Sequence, residues 1–246
     1  MTAAVWRQFR LERRMFWRNP SAAFFNFVLP LMFLALFGAV FAGEQENLDV
    51  IVPGIAGMSV MSSTFVALAY NMVFLREEGI LKRLRGTPLS PATYLGGLAA
   101  SAVANALIQV AIVIVAGRVL FDVVWPEDWA SLAVFLVAGV CCFTLLGVAL
   151  SHAIPNFDSA GAYINLAFLP MLVISGVFFD DADAPAVLSA LAQALPLTHL
   201  IDGLSGAWID GEGLATHWDA LVLLLAWTLT AGVIAVRGFS WDTRRG

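Results

Sequence analysis

The chain has 246 residues, of which 60% are hydrophobic and 13% charged, and its mean hydropathy is +0.84. Soluble domains carry about 25% charged residues, so the composition argues against a soluble enzyme, and a net charge of −5 with a pI of about 5.1 argues against a nucleic-acid partner, which needs a basic footprint. Six spans of roughly 20 residues each fill about half the length and leave no room for a second catalytic domain, so 1–246 reads as a single membrane domain.

In chain order, residues 4–19 predict an amphipathic helix. Arg7, Arg10, Arg14 and Arg18 form one stripe opposite Val5, Phe9 and Phe16, with Trp6 and Trp17 on the borders. Such a helix is expected along the inner membrane interface, arginines toward anionic headgroups and aromatics setting the depth. Plain positive-inside anchoring accounts for the same arginines. Asn19 and Pro20 then turn the chain into the bilayer. Apolar windows follow at about 22–43, 53–75, 92–118, 130–152, 160–179 and 217–237, each long enough to cross. The first is longer than the core of a signal peptide and is expected to be retained. Residues 184–195 are too short to span and are bracketed by Pro185 and Pro196, which predicts a re-entrant segment over about 184–209. Cys141 and Cys142 are adjacent; neighbours on a helix point about 100° apart, so they read as packing residues rather than a disulfide.

Charge placement supports this count. Of the thirteen basic residues, all but Arg118 fall before the first window, between the second and third, or after the last, while Glu44, Glu46, Asp122, Glu127, Asp128, Asp180, Asp181, Asp202 and Glu212 fall on the other side. The positive-inside rule then puts both termini in the cytoplasm of a cell whose plasma (inner) membrane holds the protein.

Several chemistries are disfavoured. A P-loop needs a lysine after its glycine-rich turn, yet Lys82 is the one lysine present, and it follows Ile80 and Leu81. Ion-coupled carriers place a charge inside the membrane, whereas no window has Asp, Glu, Lys or Arg near its centre. The amides at depth, Asn71, Asn105, Gln109 and Asn165, suit hydrogen bonds between helices; Asn105, Gln109 and Asn165 are also candidates to line a pathway. His199, Asp202 and Ser205 lie within seven residues, a weak hydrolase signal, because triads are assembled by fold geometry. His152, His199 and His217 are too scattered for a metal site. A self-sufficient secondary carrier or channel, and an intramembrane hydrolase or scaffold, stand as alternatives to the reading that follows.

The segment between the second and third windows is the most informative. Ile80, Leu81 and Leu84 alternate with charges at helical spacing, Gly86 and Pro88 stop the helix, and Ser90-Pro91 suit the start of the next. A short projecting amphipathic helix can dock in another protein's groove; a solvated basic loop fits the composition equally. Glu77-Glu78-Gly79, Leu81-Lys82-Arg83-Leu84 and Thr87-Pro88-Leu89-Ser90-Pro91 resemble the cytoplasmic signature of ABC-2 type permeases, the membrane subunits of exporters similar to the daunorubicin and nodulation-factor exporters. Ser175-Gly176-Val177-Phe178-Phe179 and Leu195-Pro196-Leu197-Thr198-His199 extend the likeness, although Asp180 stands where many relatives have proline.

The resemblance implies an all-α integral membrane fold with six spans, an interfacial helix, a coupling helix at about 76–86 and extracellular re-entrant helices before the last span. It further implies that Glu77, Glu78, Gly79, Leu81, Arg83 and Leu84 contact a separate ATP-binding subunit. The interfacial helix, through Phe9, Arg10, Arg14 and Phe16, would pass the motion on, and Phe178, Phe179 and Pro196 would form an outer gate. On this likeness the chain is a non-catalytic, drug- or lipid-exporting subunit that binds no cofactor or metal itself. ATP and Mg belong to the partner, and a second permease copy completes the transporter as a homodimer or heterodimer.

Overall fold

The computed structural model describes residues 2–18, 20–41, 45–85, 91–177 and 186–238, whose regular structure is helical, with no strand among the described residues. The helices are α1 (Thr2–Arg18), α2 (Pro20–Val40), α3 (Gln45–Met61), α4 (Ala67–Glu77), α5 (Ile80–Arg85), α6 (Pro91–Phe121), α7 (Trp129–Ser151), α8 (Phe157–Ile174), α9 (Ala186–Ala194), α10 (Pro196–Ser205) and α11 (Trp218–Gly238). Five continuous helical stretches are long and apolar enough to cross a membrane: Leu48–Glu77, Gly96–Phe121, Trp129–Ser151, Phe157–Ile174 and Trp218–Gly238. In α2, 21 residues long, the apolar stretch is Phe27–Val40.

The second window is one rod made of α3, a π turn at Ser62–Val66 and α4. Hydroxyl groups line the turn: Ser59 donates to the Ile55 carbonyl at 2.7 Å, Ser63 to Ser59 at 2.8 Å and Thr64 to Val60 at 2.6 Å. Side chains here take up carbonyls as the ladder changes pitch. This rod is the axis of the bundle, with Val52, Ile55, Met58, Met61 and Phe65 almost wholly buried among α6, α7 and α10.

Polar residues fix where the other helices begin. Asp128 caps α7, its carboxylate accepting from the Ala130 and Ser131 amides at 3.0 and 3.1 Å and from the Ser131 hydroxyl at 2.6 Å. Asn156 caps α8 by accepting from the Ser159 amide at 2.9 Å, and Pro196 opens α10. The segment expected to be re-entrant folds as α9 and α10 with a bend of 84° between them. Leu197, Leu200, Ile201 and Leu204 of α10 are buried against α3, α7 and α11.

Contacts sort the loops into two ends. At one, the ends of α4, α7 and α11 meet the start of α8: Arg76 reaches Ser151 and Ile154, and Gly238 lies against the His152 ring. At the other, the Trp208 indole donates to the Val124 carbonyl at 2.8 Å, and the Leu214 amide donates to the Ser131 hydroxyl at 2.9 Å. Arg118, the basic residue on the acidic side of the sequence, lies 3.4 Å from the Asp122 carboxylate.

Candidate coupling surface

The site is built at the basic end, from the last turn of α4 through α5. Arg76 forks between two carbonyls, donating from Nη1 to Ser151 at 2.9 Å and from Nη2 to Ile154. Next to it the Glu77 carboxylate accepts the Phe157 amide, one of the donors left open by the first turn of α8. The Phe157 ring packs edge-on against Tyr70 and Phe74 at centroid distances of 6.1 and 5.8 Å. The end of the second rod is thereby latched to the start of α8.

After the latch the chain reverses. Gly79 adopts φ +65°, with nothing within 4 Å of where a Cβ would stand, so backbone conformation rather than crowding selects glycine here. Leu81 is 1% exposed, packed in a second cluster with Leu75, Tyr94, Leu98, Val148 and Ala235, and it seats α5 on the bundle. Glu78 and Lys82 are exposed. Arg83 and Leu84 belong to α5, though their side chains lie outside the described residues.

Behind this surface stands α1, packed along α6. A Cβ on Gly97 would lie 2.4 Å from Gln8 Cγ and 3.2 Å from the Phe9 nitrogen, so the absence of a side chain lets the two helices touch. Val5 lies beside Gly96, and Arg13 donates to the side-chain Oδ1 of Asn105. α1 therefore advances in the same direction as α6. Its buried side carries Gln8 and Glu12, joined by a 2.7 Å hydrogen bond, with Val5, Phe9 and Phe16 half-buried. Burial pushes the Glu12 carboxyl above its ordinary range, and the Gln8 hydrogen bond offsets part of this. Arg7, Arg10 and Arg14 are exposed and, with Phe9, line an open cavity of about 570 Å³. Phe16 and Trp17 join α1 to Phe27 of α2.

The sequence reading set α1 along the membrane surface and made no use of Gln8 or Glu12. The structure lays α1 against α6 with those two as its buried polar contact. The lone acid within a basic helix, and the Gly96-Gly97 pair early in the third window, were the signals that pointed there.

A cavity of about 380 Å³ lies between α1, the α4 rod and α6; Glu12, Phe16, Asn71, Phe74, Ser101 and Asn105 are among its walls. Asn105 and Gln109 are both buried on α6, Asn105 at the cavity and bonded to Arg13. Asn165 is exposed on α8. Of the expected gate, Phe178 and Phe179 lie outside the described residues, and Pro196 is buried at the start of α10. His199 has its Nε2 2.8 Å from the Gln193 carbonyl, while Asp202 is exposed. Among the described residues no three of His, Cys, Asp and Glu converge as a metal site would require. Cys141 and Cys142 are free thiols, the first exposed and the second buried.

A bundle of long apolar helices with polar latches at its two ends defines a multi-pass α-helical membrane protein. The chain belongs to the ABC-2 type transporter family, whose match covers residues 1–208. It is 26% identical over 247 residues to Nodulation protein J of Sinorhizobium fredii, covering 95% of this chain and 92% of that one. It is 28% identical over 209 residues to ycf38 of Porphyra purpurea, covering 79% and 71%. It is 24% identical over 187 residues to the inner membrane transport permease YadH of Escherichia coli, covering 73% of each.

Proposed function

We propose that this chain is the permease subunit of an ATP-driven exporter, non-catalytic itself and paired with a second permease copy. A separate ATP-binding subunit, holding ATP and Mg, docks on α5 from the cytoplasm and drives a hydrophobic or amphipathic substrate outward. Both termini are cytoplasmic in this reading, α2 is the first span, and α9–α10 form the re-entrant outer segment.

The observation that carries it is the latched α5. A short helix exposes Glu78 and Lys82 while Leu81 roots it in the bundle, and the adjoining Glu77 holds the start of α8. A push on α5 thus reaches α4, α6 and α8 at once. The family supports an ATP-binding partner, and the sole lysine, outside any glycine-rich turn, supports ATP being held elsewhere.

Glu78→Lys tests the docking role without disturbing the α8 latch, which belongs to Glu77. The expected result is loss of co-purification with the Walker-motif ATPase and loss of permease-stimulated hydrolysis, with wild-type thermal stability. Undiminished coupling in that variant removes α5 as the docking element.

A further inference from the structure

The cavity behind the coupling surface has the size and chemistry of a ligand site. Its volume of about 380 Å³ falls in the range of small-molecule pockets, roughly 300–1,000 Å³. Its polar lining includes two acceptors, the Glu12 carboxyl and the Asn71 side-chain oxygen. Glu12 is 7% exposed, and among the described residues its one hydrogen-bond partner is Gln8. Asn71 also lines the cavity, and its Oδ1 is buried with no donor from the protein. A buried acceptor left without a donor costs about 1–3 kcal/mol, so a guest that carries a donor is favoured there. Phe16 and Phe74 add ring surfaces of the kind that attract a cation. Met15, Leu68 and Leu75 complete a wall suited to a hydrocarbon chain.

The depth of the cavity agrees. Helix α6 has 31 residues, roughly 46 Å, which exceeds the bilayer core of about 30 Å. Roughly 20 residues, 101–121, already cross that core. The first ten of α6, against which α1 sets Val5 and Gln8, then stand at headgroup depth. Leu98, Ser101 and Asn105 put the cavity at the boundary between headgroups and hydrocarbon.

We propose that this cavity, lined by helices of a single subunit, binds an amphipathic amine, its ammonium on Glu12 and Asn71 and its chain along Phe16, Phe74 and Leu68. Only the leaflet that supplies the amine, the inner one, rests on the permease reading. The site itself needs neither nucleotide nor a second subunit.

The test uses the full chain alone, purified into phosphatidylcholine nanodiscs and released for native mass spectrometry with dodecylamine, which is protonated at neutral pH, and with dodecanol as its neutral match. Wild type is expected to take up one dodecylamine saturably and dodecanol more weakly. Glu12→Gln, which keeps the side-chain shape beside Gln8, should weaken dodecylamine about tenfold, as loss of one charge-assisted hydrogen bond does, and leave dodecanol unchanged. Ala67→Trp, growing from an exposed wall position into the cavity, should abolish both. Equal binding of amine and alcohol, or amine binding unaffected by Glu12→Gln, overturns the ammonium site. Uptake unchanged by Ala67→Trp in a variant that melts as wild type places any binding elsewhere. If Ala67→Trp does not fold, Glu12→Gln with the two ligands decides alone. With no ATPase present, failure here leaves the coupling test on Glu78 standing, and the converse holds.

Discussion

Arg76 owes its role to geometry more than to charge. Its planar fork meets two carbonyls where α7 ends and the turn to α8 begins, those of Ser151 and Ile154. Arg76→Ala should lower stability by about 1–3 kcal/mol, since it strands buried acceptors. Arg76→Lys should recover less than half of that, because one ammonium cannot span both oxygens. Thermal unfolding in detergent measures both. At the other end of the molecule Asp128 has the opposite dependence on charge. The Ser131 hydroxyl first, then the Ser131 and Ala130 amides, hold its carboxyl below the ordinary aspartate range. A lowered folded value means that the cap's contribution is complete above the unfolded value, about 3.9, and is lost as the pH falls through the folded one. Hydrogen exchange at the Ala130 and Ser131 amides should therefore stay slow at a pH slightly under about 3.9. Asp128→Asn, which still caps, should remove this pH dependence.

Between elements, the decisive contact is α1 on α6. Gly97 sits where any side chain would meet Gln8, and the contact brings Glu12 and Arg13 to their places. Gly97→Leu should detach the N-terminal helix, exposing its link to trypsin at the arginines while leaving the far end of the bundle folded. Limited proteolysis with mass mapping reads this directly. Much of this architecture was legible beforehand: apolar windows register in composition alone, and the projecting segment at 76–86 announced itself through helical spacing closed by Gly86 and Pro88. The direction of α1 was not legible, because a helical stripe tells which face is polar but not which neighbour covers the other. The latch from Glu77 to Phe157 joins residues 80 apart, and nothing local in either segment signals it. Leu81 read as a docking contact, while its burial in the bundle depends on Tyr94, Val148 and Ala235, three separate stretches of chain. Asn165, grouped by depth with Asn105 and Gln109, is exposed where those two are buried, since depth in a window fixes height and not azimuth.

At the scale of the whole molecule, that outward Asn165 matters. α8 exposes Tyr163, Leu166, Leu169 and Val173, an apolar face interrupted by one amide. An amide facing hydrocarbon costs several kcal/mol by estimates of polar transfer, roughly 2–7, and a second copy of the chain would relieve it. In a background lacking Cys141 and Cys142, Asn165→Cys should form a disulfide-linked dimer on mild oxidation in membranes. A monomer on non-reducing gels under those conditions removes α8 from the contact between copies.

The π turn at Ser62–Val66 carries a last implication. It holds one residue beyond what an α-helical ladder needs, so the rod above and below it is out of phase by about 100°. Dropping a single residue there would let the ladder close as an ordinary α-helix, with Arg76 still facing Ser151 and Glu77 still facing Phe157. The same deletion within α4, where no widened turn absorbs it, would swing the tip through about a quarter-turn and carry both side chains off their partners, like a key cut one notch wrong.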